Sequence, residues 1–254
     1  MGLITEASLR AEIKNKSMYK YFIKPGTKIT PSAMQFLRDR KIELIIEEQN
    51  TENIATGGRT ESKKEKPPAG YIFADTVCYM DKKPEYMTQL YGKKLVYKNH
   101  PRIVFRGAID SLQSRILLLQ AEAAENKQDK LVKELEEVLL FVRNIMRCEV
   151  LEEELPAISL LGMKDEELRE ISHNPVKHFN MKHILPDYRM GKIALGLNAL
   201  RSSVREAEIA AVKAFRKEDA MEREDLITAL NRLSSCVYIM MLKYINGAYR
   251  QVIG

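Results

Sequence analysis

Apolar residues recur at helical spacing over four stretches of the chain. Leu112, Ile116 and Leu119 share one face of residues 110–126, and Leu131, Leu135, Val138, Val142 and Ile145 share one face of residues 127–150. A third stripe, Ile193, Leu197, Leu200, Val204, Ala211 and Phe215, runs through residues 190–217. A fourth, Leu226, Leu230, Leu233, Val237 and Tyr244, runs through 222–246. Steps of three and four predict amphipathic helices packed on one another. The polar run Glu125-Asn126-Lys127 predicts a tight antiparallel turn between the first two.

Ahead of these helices the pattern changes. Residues 4–16 read as a short helix that Thr5 caps, and 18–23 as a strand of aromatic and β-branched residues. Lys24-Pro25-Gly26-Thr27 reads as a turn, Thr30-Pro31 as the start of a second helix, and 42–46 as a second strand. Residues 47–70 are polar and rich in Gly, Lys and Pro. Within them Thr56-Gly57-Gly58-Arg59-Thr60 is either a phosphate-cradling loop without a P-loop lysine or ordinary linker. Residues 155–190, with three prolines and three histidines, read as irregular. The expected fold is therefore mainly α. A small α/β module (1–48) and a linker or mobile loop (49–83) precede an up-down helical bundle of about five helices (84–254). The module carries no catalytic constellation, and a unit so small leans on a partner surface, which suggests a docking or assembly role.

Composition narrows the partners. The chain has 254 residues, 45% of them hydrophobic, enough for a sizeable core. A net charge of +6 suits anionic ligands but is modest for a nucleic-acid binder, and basic residues alternate with acidic ones, as in 130–137. No nucleic-acid partner is expected. The three cysteines, Cys78, Cys148 and Cys236, are far apart, form no metal clip and fit a reducing compartment. No signal peptide opens the chain, and no apolar run approaches a membrane span. A cytoplasmic protein without a membrane partner is expected.

The candidate chemistry centres on the third stripe. Arg201 and Arg205 are four apart and Glu208 three further, so all project from one side of a helix, at the flank of its apolar stripe. Two guanidiniums there form a fork suited to phosphate oxygens, with Glu208 able to hold one of them. A surface helix whose arginines snorkel and pair with Glu206 and Glu208 accounts for the same spacing. On the next helix Asn231, Ser234 and Tyr238 share a side, and Asn231 offers an amide to a ribose or base edge. Lys98 and Arg102 can reach a triphosphate. His173, His178 and His183 raise a metal site, but no Asp, Glu or Cys completes a ligand set.

Three motifs in order, Arg102-Ile103-Val104-Phe105-Arg106-Gly107-Ala108-Ile109-Asp110-Ser111-Leu112, then Arg201-x-x-x-Arg205-Glu206-x-Glu208, then Leu230-Asn231-Arg232-Leu233-Ser234, resemble the corrinoid adenosyltransferases. The ethanolamine-utilization branch is the nearest, since residues 83–90 and 99–103 match it too. The resemblance covers about residues 84–244. It implies transfer of the 5′-deoxyadenosyl group of ATP, with Mg²⁺, to the cobalt of reduced cobalamin, releasing triphosphate. By this carry-over Arg201 and Arg205 act at the reacting nucleotide, and Lys98, Arg102, Glu208 and Asn231 join them in binding ATP. Asp110 pairs with Arg201 across subunits. Residues 155–190 lie below the corrin, where relatives place an aromatic plug before a Leu-Pro dipeptide. Leu185-Pro186 is present here; His183 or Ile184 aligns with the aromatic and Phe179, four or five residues earlier, is taken as the plug, so Phe179 and His183 are the cobalamin-binding candidates.

Some members of that branch carry a His and a Cys-Cys-x-x-Cys cluster near residue 78. Here Tyr79, Met80 and Asp81 follow Cys78 and no histidine precedes His100, so no metal site is expected. The resemblance also implies a homo-oligomer, a trimer by analogy with the propanediol type. A reductase and the proteins of a bacterial microcompartment are further partners it implies. A non-catalytic assembly or corrinoid-binding protein built on the same bundle is the alternative.

Overall fold

The computed structural model describes residues 3–13, 20–24, 27–40, 42–46, 70–74, 78–80 and 82–250. The 56–60 loop, most of the expected linker and the packing of Cys78 lie outside them. Two compact units divide the chain between Lys98 and Asn99.

The first unit contains β1 (Leu3–Ile4), α1 (Glu6–Glu12), β2 (Lys20–Ile23), β3 (Lys28–Ile29), α2 (Pro31–Asp39), β4 (Glu43–Ile46), β5 (Tyr71–Phe73), β6 (Cys78–Met80), β7 (Met87–Tyr91) and β8 (Lys94–Tyr97). Thr5 caps α1 in a reciprocal box with Ser8, and Thr30 caps α2 ahead of Pro31, as the sequence suggests. The sheet is larger than expected. Its order is β4-β2-β6-β5-β8-β7, with β2 parallel to β4 and antiparallel to β6. Strands β5 to β8 therefore complete the N-terminal sheet, and the two units divide after Lys98 and not at 84. Leu9, Ile13, Phe36, Leu37, Phe73, Met87 and Leu95 are buried together in its core.

The second unit holds α3 (Pro101–Glu125), α4 (Asp129–Leu151), the hairpin β9 (Ser159–Leu160) and β10 (Met163–Lys164), α5 (Asp165–His173), α6 (Pro175–Phe179), α7 (Lys192–Phe215) and α8 (Glu224–Ile245). This unit holds six α-helices among the described residues, against about five expected for the bundle, and α1 and α2 bring the total to eight. All of the stripe residues except Tyr244, which is partly buried, are buried in one core. The four long helices run antiparallel to their neighbours. Phe105 meets Phe215 edge-on and Leu119 lies against Gly196, so α3 opposes α7. Glu134 meets Lys243 and the Cys148 carbonyl meets Arg223, so α4 opposes α8. Gly196 permits the closest approach: a Cβ there would lie 2.6 Å from Leu119 Cδ1.

Two sequence readings change in α3. The helix starts at Pro101, with His100 as its cap: His100 Nδ1 accepts from the Arg102 N–H at 3.2 Å. Asp110, where the sequence stripe places the helix start, therefore sits more than two turns inside the helix and is exposed. Arg102 is held inside the unit. Its Nε donates to Glu149 Oε1 at 2.7 Å, and its other nitrogens donate to Glu152 Oε1 and the Glu149 carbonyl. Arg106 Nε donates to Glu149 Oε2 at 2.5 Å. A fully buried carboxylate thus ties α3 to α4 through two guanidiniums. The stretch 155–190 is also more regular than expected, because α5 packs Leu168 into the core beside α8.

Candidate anion-binding site

Arg201 and Arg205 occupy successive turns of α7 beside the buried Leu200 and Val204, which fix the helix face they leave. Across from them, Asn231, Ser234, Ser235 and Tyr238 descend one side of α8 at helical spacing. The end of α5 adds Ser172 and His173, and the segment beyond α6 adds His183. Together these nine residues line a cleft of about 350 Å³.

The lining contains hydroxyls, imidazoles, an amide and two guanidiniums, and no carboxylate. Among the described residues neither arginine has an ion-pair partner. Arg201 rests its guanidinium over the Tyr238 ring, 4.9 Å from the centroid. Arg102, Arg106, Arg147, Arg189, Arg223 and Arg232 of the same unit are ion-paired, whereas Arg115, Arg143, Arg169, Arg216 and Arg250, outside the cleft, also have no ion pair among the described residues. Such a lining attracts a multiply charged anion with hydrogen-bond acceptors.

Glu208 does not hold an arginine. Its Oε1 accepts from Asn231 Nδ2 at 2.9 Å, bridging α7 to α8 at the rim. Asn231 Oδ1 accepts from Arg232 at 2.6 Å, and Arg232 is anchored on the Asp165 carboxylate. The amide is thus oriented from both ends. At the other end Tyr238, 7% exposed, shares a 3.2 Å hydrogen bond with His183 Nδ1 and accepts from the Ile184 N–H at 3.4 Å.

The residues expected to form the site divide accordingly, with Arg201, Arg205, Asn231 and His183 in the cleft and Glu208 at its edge. Arg102 does not line it, because Glu149 and Glu152 engage its guanidinium. Phe179 does not line it either; it packs against the helical core from the end of α6. Asp110 is exposed on α3 without an ion-pair partner among the described residues. Lys98 is exposed at the end of the first unit. The histidines separate: His173 and His183 line the cleft, while His178 Nε2 pairs with Glu170 at 2.5 Å. Among the described residues no three His, Cys, Asp or Glu side chains group as a metal site.

Sequence reasoning did not name Ser172, His173 or Ser235 for the site. The first two sit on α5, in a stretch whose sequence looks irregular. Ser235 follows the Asn231-x-x-Ser234 turn and was within reach of the spacing. A larger groove of about 850 Å³ opens at the starts of α5 and α8, but Asp165, Glu166, Glu224 and Asp225 line it. Four carboxylates repel a polyphosphate, so size does not make it the anion site.

Comparison with known proteins supplies the context. A family model described as cobalamin adenosyltransferase matches residues 78–244, which include every residue of the cleft. The chain is 32% identical over 249 residues to the corrinoid adenosyltransferase EutT of Escherichia coli (strain K12), covering 94% of this chain and 91% of that protein. The EutT of Salmonella typhimurium (strain LT2) matches with the same identity and coverage.

Proposed function

The chain belongs to the cobalamin adenosyltransferase family, and on that premise we propose that its cleft grips the triphosphate of ATP while the 5′-deoxyadenosyl group passes to reduced cobalamin. The observation that carries this reading is the pair Arg201 and Arg205, without carboxylate partners, in a cleft whose lining holds no acid. Cob(I)alamin is the nucleophile. Its electron pair forms the cobalt–carbon bond at C5′, the C5′–O bond breaks, and triphosphate leaves with that bond's electrons. No general base is required. The protein holds C5′ in line with cobalt and neutralises the charge growing on the leaving group. Arg201 and Arg205 supply the neutralising positive charge, and Asn231, held by Glu208 and Arg232, orients the nucleoside.

Lys98 is a third cation proposed for the triphosphate, and Asp110 is proposed to hold Arg201 of a neighbouring protomer in a homotrimer. The cleft lining holds no carboxylate, and Asn231 already engages Glu208 at its rim. That donor set does not suit Mg²⁺, which prefers carboxylate oxygens with substrate phosphates. Any Mg²⁺ would be carried by the triphosphate itself, and no step is assigned to it. The corrin is proposed to lie over residues 183–188, where Leu185 and Tyr188 follow the cleft residue His183 in sequence and stand 87% and 82% exposed. Shielding the lower face from a ligand eases reduction of Co(II) by the partner reductase. We further propose that the product serves ethanolamine catabolism, in the cytoplasm or a microcompartment. No helix among the described residues is long and apolar enough to cross a membrane.

The test mixes reduced cobalamin, ATP and Mg²⁺ and follows the absorbance change of cobalt–carbon bond formation. The bond should form, and Arg205→Ala should lower kcat by about 10²–10³, as for loss of one transition-state donor. Unaltered turnover in that variant removes Arg205 from the mechanism. A wild-type protein that binds corrinoid and ATP without forming the bond leaves only the non-catalytic reading.

A further inference from the structure

We propose that Tyr238 is a positioning residue that couples occupancy of the anion cleft to the order of residues 183–186. Its ring carries the Arg201 guanidinium at 4.9 Å. The same ring stacks on His183, with 6.1 Å between centroids and 16° between planes. Its hydroxyl accepts from the Ile184 N–H and meets His183 Nδ1. With the imidazole neutral and its proton on Nε2, the phenol donates to Nδ1 while it accepts from the amide, so both capacities of the hydroxyl are used.

Residues 182–186 form no helix or strand, and among the described residues their hydrogen bonds go to Tyr238 alone. His183, Leu185 and Pro186 are exposed, and Ile184 is the apolar contact to the core. A segment held by so few contacts opens readily. A phenol ring is rigid, so whatever fixes its face also fixes its hydroxyl. Phosphate oxygens that immobilise Arg201 over that face therefore immobilise the acceptor on which the Ile184 amide depends. The anion cleft and the Leu185-Pro186 segment then share one side chain, and filling the first orders the second.

This inference rests on the reading of the cleft as a triphosphate site. Two substitutions separate the functions of the side chain. Tyr238→Phe keeps the ring under Arg201 and removes the hydroxyl; Tyr238→Leu removes both. Hydrogen exchange of the peptide spanning residues 183–186 is measured on the full chain, with and without inorganic triphosphate, beside its calorimetric Kd. In the wild type, triphosphate should slow exchange at the Ile184 amide by about fivefold or more, the size of one net hydrogen bond. Tyr238→Phe should abolish the slowing and, because the coupling is reciprocal, weaken the triphosphate Kd by up to about the same fivefold, while Tyr238→Leu, which also removes the ring beneath Arg201, weakens it further. Triphosphate that binds without slowing exchange in the wild type, or slowing that survives in Tyr238→Phe, overturns the proposal. The cobalt–carbon assay keeps the two readings apart. Coupling without bond formation removes the enzymatic reading alone, and bond formation without coupling removes this inference alone.

Discussion

Glu149 offers the sharpest test of the packing. Its carboxylate is fully buried and receives three guanidinium N–H groups, at 2.7, 2.5 and 3.3 Å. Glu149→Gln keeps the shape but turns one acceptor into a donor facing donors, and leaves Arg106 without a carboxylate. Removing one member of a buried pair costs about 3–5 kcal/mol. The low end applies here, because the Arg102 and Arg106 side chains are 16% and 17% exposed and Glu152 still holds Arg102. A loss of about 3 kcal/mol corresponds to a fall in Tm of about 6–12 °C for a unit of this size. Urea and thermal melts followed by circular dichroism measure it. Glu149→Gln combined with Arg106→Leu should lose less than the sum of the single losses, because both act on one interaction. Triphosphate affinity should be unaffected below the melt, since Glu149 does not line the cleft. A loss below about 1 kcal/mol, the range of an exposed ion pair, refutes the argument.

Two further outcomes follow from particular contacts. Asn231→Ala removes the bonds to Glu208 and Arg232; the KM for ATP should rise about fivefold with kcat little changed, and an unchanged KM argues against its role in orienting the nucleoside. Burial pushes the Asp225 carboxyl upward, but the Arg223 guanidinium and the N–H groups of Leu155 and Leu226 outweigh it and hold the pKa below the usual value. The folded-state pKa is thus the lower one. The group stabilises the fold above the unfolded value of about 3.9 and loses that contribution as pH falls through the folded value. Urea midpoints of wild type and Asp225→Asn should therefore differ near neutrality and converge in acid, and a constant difference contradicts the assignment.

Much of the helical unit was legible because its information is local. The stripes of α3, α4, α7 and α8 repeat at three and four, and their residues are the ones buried. Thr5 and Thr30 cap the helices they precede for the same reason. What escaped is non-local. Strands β7 and β8 form a local hairpin, but it joins β2 and β4 through the β5–β8 and β2–β6 pairings, which no short window contains. The start of α3 was obscured because His100, an unusual cap, supplies Nδ1 where Ser or Asp is the common signal. In the site, the four-residue step placed Arg201 and Arg205 together, but which carboxylate meets which cation depends on packing. Glu208 turns to Asn231 across the α7–α8 seam, and Arg102 turns to Glu149 on α4.

The claim on which the functional account stands is that Arg201 and Arg205 hold a polyphosphate. A calorimetric titration with inorganic triphosphate, on the wild type and on Arg201→Ala/Arg205→Ala, addresses it without any corrinoid. Two charge-assisted contacts at about 1.5 kcal/mol each amount to a weakening of about a hundredfold in the double variant. Equal affinity in the two proteins would contradict the account, since triphosphate would then be held by other residues.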